Sequence, residues 1–296
     1  MKRDAFDTWS LAELDAVEST LDAFVPVDAP AGLGEAMRYA VLDGGKRLRP
    51  LLVLAASDAV GGSRPAALRA ACAVELIHAY SLVHDDLPCM DDDVLRRGKA
   101  TVHVRFGVAQ AMLAGDAMQA LAFEVLTPDD GSIDPRLQSR LCALLARAAG
   151  GAGMAGGQAI DLASVGLPLD ERALSDMHRR KTGALLRASV LMGAACGRTD
   201  ERGWRALSCY GDAVGLAFQV VDDILDVTQP SATLGKTAGK DHLHDKPTYV
   251  TVLGLDAARA HAETLRRAAH AALDTSGIAD TEQLRELADR VVERDS

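Results

Sequence analysis

The chain has few aromatic residues and few cysteines. Phe, Trp and Tyr make up 4% of its 296 residues, and the apolar 48% is rich in Ala and Leu, which favour helices over strands. Its five cysteines are an odd number at wide spacings without a Cys-x-x-Cys pair, which argues against a disulfide framework or a zinc site. The composition therefore predicts an all-α protein with reduced thiols.

The chain also lacks excess positive charge and long apolar runs. Its formal net charge of −10 disfavours non-specific binding of nucleic acid. Apolar stretches such as residues 51–56 are far shorter than the roughly 20 residues that a membrane-spanning helix needs. The first residues turn acidic at once and show no signal-peptide pattern. We therefore expect no nucleic-acid partner, no membrane span and a cytoplasmic location.

Helical periodicity covers most of the chain. Apolar residues recur at three- and four-residue steps in five segments, residues 11–24, 66–84, 110–126, 169–195 and 204–227. The breaks contain Gly, Pro, Asp and Ser and read as turns rather than linkers, so we expect a single domain over residues 1–296. Residues 101–108 alternate briefly, but a lone strand has no partner and we reject it.

Two aspartate clusters stand out against this background. In the second, Asp222, Asp223 and Asp226 follow an apolar helical run. Residues four apart on a helix differ by about 40° in direction, so Asp222 and Asp226 share a face with Asp223 beside them. A solvated acidic helix end is the plainer alternative. Convergent carboxylates, however, offer Mg²⁺ the partial oxygen shell that it completes with water and phosphate.

The first cluster, Asp85-Asp86 and Asp91-Asp92-Asp93, lies where the 66–84 helix ends. Asp85 and Asp91 point different ways on an uninterrupted helix, but Pro88 cannot continue the ladder, so the chain can bring Asp91 back toward Asp85. Carboxylates at a helix C-terminus oppose the macrodipole, which indicates a bound cation. Arg96-Arg97 follows, and guanidinium groups suit phosphate oxygens. Together these features predict a phosphorylated ligand bound with metal.

From about residue 32 to 252, the sequence resembles the trans-prenyltransferases (isoprenyl diphosphate synthases), and among them the bacterial farnesyl diphosphate synthases or geranyltranstransferases. Besides the two clusters and the arginine pair, the resemblance rests on five motifs: Gly44-Gly45-Lys46-Arg47-Leu48-Arg49-Pro50, Gly156-Gly157-Gln158, Lys181-Thr182-Gly183, Phe218-Gln219 and Gly235-Lys236.

This resemblance implies an all-α, single-domain antiparallel helical bundle around a deep central cavity, the isoprenoid synthase fold, assembled as a homodimer. It implies isoprenoid diphosphate substrates and three Mg²⁺ ions. The implied metal ligands are Asp85, Asp91, Asp222 and Asp226, with Asp86 and Asp223 as further candidates. Positions matching contacts to the allylic diphosphate are Arg96, Lys181, Thr182, Gln219 and Lys236, and those matching the isopentenyl diphosphate site are Lys46, Arg49, His78 and Arg97. The residues implied to be catalytic are Asp85, Asp91, Arg96, Lys181, Asp222 and Lys236.

Product length is implied to depend on Tyr80 and Ser81, which lie five and four residues before Asp85 and match the floor of the allylic pocket. An aromatic floor suits the fifteen-carbon farnesyl product. Geranylgeranyl diphosphate synthases of the same family share the Leu87-Pro88-Cys89-Met90 insertion, so a twenty-carbon product is the alternative.

Other functions and plainer roles remain open. A terpene cyclase does not need the basic turn at residues 46–49, a head-to-head synthase consumes no isopentenyl diphosphate, and a non-catalytic partner subunit is expected to lose its aspartates. A plain helical bundle predicts no activity at all. Among single residues, Lys46 and Arg49 could form a solvated turn, His78 could be a hydrogen-bonded core histidine, and Lys181 could be a surface lysine.

Overall fold

The computed structural model describes residues 2–42, 44–167, 169–229 and 247–294. Its elements in chain order are α1 (Lys2–Phe24), a 3₁₀ turn (Pro30–Gly32), α2 (Leu33–Val41), α3 (Leu48–Ala59), α4 (Arg64–Asp85), β1 (Leu95–Arg96), β2 (Lys99–Ala100), α5 (Val102–Phe106), α6 (Val108–Glu124), α7 (Pro135–Ala149), α8 (Met154–Ala163), α9 (Glu171–His178), a π-helical turn (Arg179–Gly183), α10 (Ala184–Ala195), α11 (Glu201–Thr228), α12 (Tyr249–Leu253), α13 (Leu255–Asp274) and α14 (Glu282–Glu293). The all-α prediction is confirmed.

The periodic segments correspond to helices α1, α4, α6, α9–α10 and α11. The 169–195 segment is a near-continuous helix in which the π turn separates α9 from α10. Residues 101–108 contain no strand, as predicted; Val102–Phe106 form helix α5, which was not predicted from the sequence. The sequence did not predict the small hairpin of β1 and β2, in which Leu95 pairs with Ala100. Strands of two residues are too short to show an alternating pattern.

Helix α4 lies at the centre of the bundle, where it contacts α1, α3, α6 and α10. Its middle from Ala70 to Ile77 is fully buried, and its many alanines let neighbouring helices approach closely. Among the described residues, α4 is long and apolar enough by length and composition to cross a membrane, in contrast to our expectation from shorter runs, but 67% of its apolar window is buried in the protein. Such burial is typical of a core helix.

Helix α10 connects the two regions that carry the aspartates. It packs on α3 and α4 on one side and on α11 on the other. The first cluster lies at the end of α4 and the second near the end of α11. The π turn just before α10 contacts α8, α9 and α11 as well.

Candidate active site

The first cluster folds back on itself after α4 ends at Asp85. The Asp91 amide donates to the Asp85 carbonyl oxygen at 2.9 Å, and the Asp93 amide donates to the Asp86 carbonyl at 3.2 Å. The chain turn around Pro88 thus brings Asp91 back to Asp85, as the helix-breaking effect of proline predicted.

Arg96 binds Asp86 through the Nε and Nη2 atoms of its guanidinium group. Its Nε lies 2.9 and 3.0 Å from the two Asp86 oxygens, and its Nη2 lies 2.6 Å from Oδ1. Asp86 is 3% exposed, and burial raises its pKa while Arg96 opposes that rise. A bidentate pair of this kind is geometrically specific. Asp86 therefore anchors Arg96 beside the cluster.

Asp85 has a strongly perturbed carboxyl group. Burial, together with the charges of Asp91 and Asp86, raises its pKa to about 6 against the opposing charges of Lys181 and Arg96. A buried carboxylate in this position is unfavourable without a compensating cation. Asp85 and Lys181 also line the same cavity.

The π turn presents Lys181 and Thr182 from a close helix contact. A Cβ atom at Gly157 on α8 would lie 2.1 Å from the Lys181 backbone nitrogen, so only glycine permits this approach. Lys181 Nζ is 2.5 Å from Asp161 Oδ2, also on α8. π-helical turns are frequent at functional sites. The Gly156-Gly157 motif therefore has a packing role that places a cationic side chain.

A hydrogen-bonded chain leads from the π turn to the second cluster. The Thr182 hydroxyl donates to Gln219 Oε1 at 3.0 Å, and Gln219 Nε2 donates to Asp223 Oδ1 at 2.8 Å. The other Asp223 oxygen accepts from the Tyr249 amide at 2.8 Å. Here the structure differs from the expected three converging carboxylates. Asp223 is 2% exposed and holds the start of α12, whereas the Asp222 side chain is 40% exposed.

Arg294 reaches the second cluster from far along the chain. Its guanidinium carbon lies 4.0 Å from the centroid of the Phe218 ring, and its Nη2 donates to the Phe218 carbonyl at 2.8 Å and to Asp222 Oδ1 at 3.4 Å. Sequence reasoning missed this residue, because nothing local to position 294 signals the contact. Burial and Arg294 lower the pKa of Lys46, while Asp222 raises it, which places the basic turn beside the second cluster.

The four residues expected to bind isopentenyl diphosphate form one basic region. Arg49 and His78 line the cavity that holds Asp85, and Arg97 Nη1 donates to the Gly44 carbonyl at 2.5 Å. Burial lowers the pKa of Arg49 to about 10. Burial followed by the charges of Arg49 and Arg97 holds the pKa of His78 well below its usual value. His78 is therefore neutral at neutral pH and can donate or accept a hydrogen bond.

The cavity has a volume of about 380 Å³ and a mainly apolar lining that also includes the charged side chains of Arg49, Asp85 and Lys181. Tyr80 and Ser81 both line it, and the Tyr80 ring meets the His84 ring edge to face with centroids 5.7 Å apart. The amide oxygen and nitrogen of Gln158 are buried without a hydrogen-bond partner among the described residues. A polar group of this kind in an apolar wall is costly unless a ligand meets it.

The donor set suits Mg²⁺ rather than a transition metal. Carboxylate oxygens from Asp85, Asp91 and Asp222 are hard ligands, and Mg²⁺ usually takes one or two carboxylates together with waters and substrate phosphates. Within the described residues, no group of three or more His, Cys, Asp or Glu side chains is arranged so that it could hold a metal ion by itself. The high pKa of Asp85 also fits a carboxylate placed to meet a cation. Lys236 lies outside the described residues.

Comparison with known proteins is consistent with this geometry. The polyprenyl synthetase profile matches residues 30–287. Geranylgeranyl pyrophosphate synthase 11 (chloroplastic) of Arabidopsis thaliana is 47% identical over 274 residues, which cover 90% of this chain and 77% of that protein. An FPP/GFPP synthase from Zymomonas mobilis is 40% identical with a TM-score of 0.88, covering 99% of this chain and 100% of that one. A Helicobacter pylori geranyltransferase complexed with magnesium and isoprenyl diphosphate is 34% identical with a TM-score of 0.84, covering 96% and 95%.

Proposed function

The chain belongs to the polyprenyl synthetase family, the trans-prenyltransferases, and from this premise we propose that it joins isopentenyl diphosphate to an allylic diphosphate at the mouth of the cavity. The observation that carries the proposal is the placement of Lys181 between the clusters, since it acts on the Asp85 carboxyl electrostatically and Thr182 beside it bonds to Gln219. Four of the expected allylic contacts, Arg96, Lys181, Thr182 and Gln219, are among the residues that the structure describes.

The reaction needs stabilisation of a leaving group rather than a nucleophilic side chain. When the allylic carbon–oxygen bond breaks, the bonding electrons leave with the diphosphate, so preorganised cations lower the barrier. Arg96, fixed by Asp86, and Lys181, fixed by Asp161, are held in place before substrate arrives. Asp85, Asp91 and Asp222 would hold Mg²⁺, which would supply Lewis-acid stabilisation of the same diphosphate. A count of three ions stays a prediction, as does a role for Asp226.

The second substrate fits the basic region formed by Lys46, Arg49, His78 and Arg97. Arg49 and His78 line the cavity with Asp85, and the charge of Asp222 acts on Lys46. An isopentenyl group held there by its diphosphate could therefore attack the allylic cation directly. One proton is then lost and pyrophosphate is released. The apolar wall of the cavity keeps water from the cation. A plain helical bundle would need neither this apolar wall nor the basic region.

For the product, we propose twenty carbons. The sequence resemblance alone favours fifteen, but the Arabidopsis relative with 47% identity is named a geranylgeranyl pyrophosphate synthase, which supports the twenty-carbon alternative better. Farnesyl diphosphate remains a second candidate, because the Tyr80 ring lies in the cavity wall and the Zymomonas structure is named an FPP/GFPP synthase.

Product sizing distinguishes the two candidates. Purified protein is incubated with labelled isopentenyl diphosphate, Mg²⁺ and either dimethylallyl, geranyl or farnesyl diphosphate, and the dephosphorylated products are sized. A dominant C20 product is expected, whereas accumulation of C15 would establish the farnesyl candidate. Tyr80→Ala lengthens the product if the ring limits the pocket, and Tyr80→Phe is the control that keeps the ring. No condensation with any starter contradicts the proposed function itself.

The proposed assembly is a homodimer. Helix α6 exposes the apolar side chains of Val108, Met112 and Leu113, and contiguous exposed apolar surface marks an interaction site. A second copy of the chain is the occupant that the resemblance implies, and sedimentation of wild type against Leu113→Asp tests it. The cytoplasmic location and the single domain over residues 1–296 stay predictions.

A further inference from the structure

Arg47 lies between Lys46 and Arg49 in the sequence, but its side chain enters the protein interior. The side chain is 2% exposed, and its backbone has φ of +45°, a left-handed conformation that is unfavourable for a residue with a Cβ atom. Arg47 is buried in this conformation, whereas the neighbouring Lys46 is exposed. The buried guanidinium group therefore must have strong partners.

Those partners come from three helices. Arg47 Nε is 2.6 Å from Glu18 of α1, Nη1 is 2.6 Å from Glu75 of α4, and Nη2 donates to the Val41 carbonyl at the end of α2 at 2.5 Å. The Glu75 side chain is 4% exposed. Charged hydrogen bonds in a buried setting are strong and directional. Arg47 thus ties the turn to the helix that carries His78 and Asp85.

Two glycines with left-handed backbone conformations precede Lys46 in the turn. Gly44 and Gly45 both have positive φ, +73° and +125°. Arg97 crosses this turn, since its Nη1 donates to the Gly44 carbonyl and a Cβ atom at Gly45 would lie 2.7 Å from that nitrogen. Contacts of both Arg47 and Arg97 therefore hold the turn that carries Lys46 and Arg49.

Glu75 also offsets the repulsion among the arginines of this region. It attracts Arg47, Arg49 and Arg97 electrostatically, and the latter two repel each other. Glu75 lies three residues before His78 on α4, so the two residues share one side of the helix. A buried carboxylate below a group of cations lets them stay close together before any diphosphate is bound.

We propose that Arg47 and Glu75 are positioning residues for the isopentenyl diphosphate site: their buried pair fixes the turn that presents Lys46 and Arg49, without contacting substrate. This inference rests on the proposed function, because it takes the basic region as the second diphosphate site. It predicts an effect on one substrate only. A purely structural role predicts equal effects on both substrates or on stability alone.

The test compares Glu75→Gln and Arg47→Lys with Glu13→Gln. Glu13 is a matched control, because it is also a buried glutamate at the α1–α4 contact, 2.5 Å from Arg64. We expect Glu75→Gln to raise KM for isopentenyl diphosphate roughly tenfold, as small displacements of binding groups do, with KM for the allylic substrate and product length unchanged. Arg47→Lys keeps the charge but loses the fork, so it shows the same one-sided effect. Glu13→Gln changes neither KM.

Equilibrium binding of isopentenyl diphosphate alone, measured by calorimetry, gives a second result that needs no turnover. Weaker binding in Glu75→Gln than in Glu13→Gln supports the inference, and unchanged binding overturns it. Equal rises in both KM values also overturn it. If wild type binds isopentenyl diphosphate but forms no product, the proposed function fails while the binding comparison still decides the positioning role. If Glu75→Gln does not fold, Arg47→Lys carries the same comparison.

Discussion

Replacing Asp85 by asparagine should make the metal-free protein more stable while removing its activity. Burial raises the pKa of Asp85 to about 6, compared with about 3.9 for an unperturbed aspartate. A carboxyl group with a raised pKa in the folded state stabilises the fold only while it is protonated. That contribution is complete below the unfolded pKa and is lost as pH rises through 6. At neutral pH, the folded protein therefore carries the cost of an ionised Asp85.

The magnitude follows from the two pKa values. The cost of ionising Asp85 in the fold is about 3 kcal/mol at pH 8 and about 1.5 kcal/mol at pH 5, by proton linkage. Asparagine has no such cost and nearly the same shape. The stability advantage of Asp85→Asn should therefore be largest at pH 8 and shrink by about 1.5 kcal/mol toward pH 5.

Urea unfolding followed by circular dichroism measures this advantage, with EDTA present and pH varied from 5 to 8. Asp92→Asn is the control, because Asp92 is exposed in the same cluster and has a left-handed backbone that asparagine tolerates. The control should show no pH-dependent difference from wild type. An Asp85→Asn protein that is less stable than wild type at pH 8, or whose advantage grows toward pH 5, would show that ionised Asp85 does not destabilise the fold.

Two further predictions concern residues that place the site. Gly157→Ala puts a Cβ atom against the Lys181 backbone, so kcat/KM should fall roughly a hundredfold in a condensation assay, whereas Gly151→Ala, with open space around it, should keep wild-type rates. Asp223→Asn cannot accept from both Gln219 and the Tyr249 amide, so the free energy of unfolding should fall by about 1–3 kcal/mol, measured by urea titration with EDTA. The same substitution at the more exposed Asp222 should cost less, and equal losses at 222 and 223 contradict the structural role of Asp223.

Local sequence patterns predicted those features that depend on residues close together in the chain. The recurring apolar residues of α4 and α11 predicted both helices, because α11 buries one face and the middle of α4 is buried on all sides. The return of Asp91 to Asp85 was predictable because Pro88 must end the hydrogen-bond ladder. These two features give the fold class and the first half of the site.

The remaining features depend on contacts between distant segments. Asp161 and Lys181 are 20 residues apart, and Arg294 is 72 residues from Asp222; in each case the pairing arises from helix packing that no local pattern encodes. The π turn likewise depends on the close approach of Gly157 to Lys181. The orientation of Asp223 toward α12 is set by the Tyr249 amide, a partner 26 residues away.

The proposed mechanism requires the two aspartate clusters to hold one diphosphate together through Mg²⁺. It is tested most directly by binding inorganic pyrophosphate with and without Mg²⁺ to wild type, Asp85→Asn, Asp222→Asn and the double variant. We predict that each single substitution removes most of the Mg²⁺-dependent affinity and that the second adds little, because residues acting on one ligand are not additive. Strictly additive losses, or pyrophosphate affinity and turnover that are unchanged in EDTA, would contradict the account.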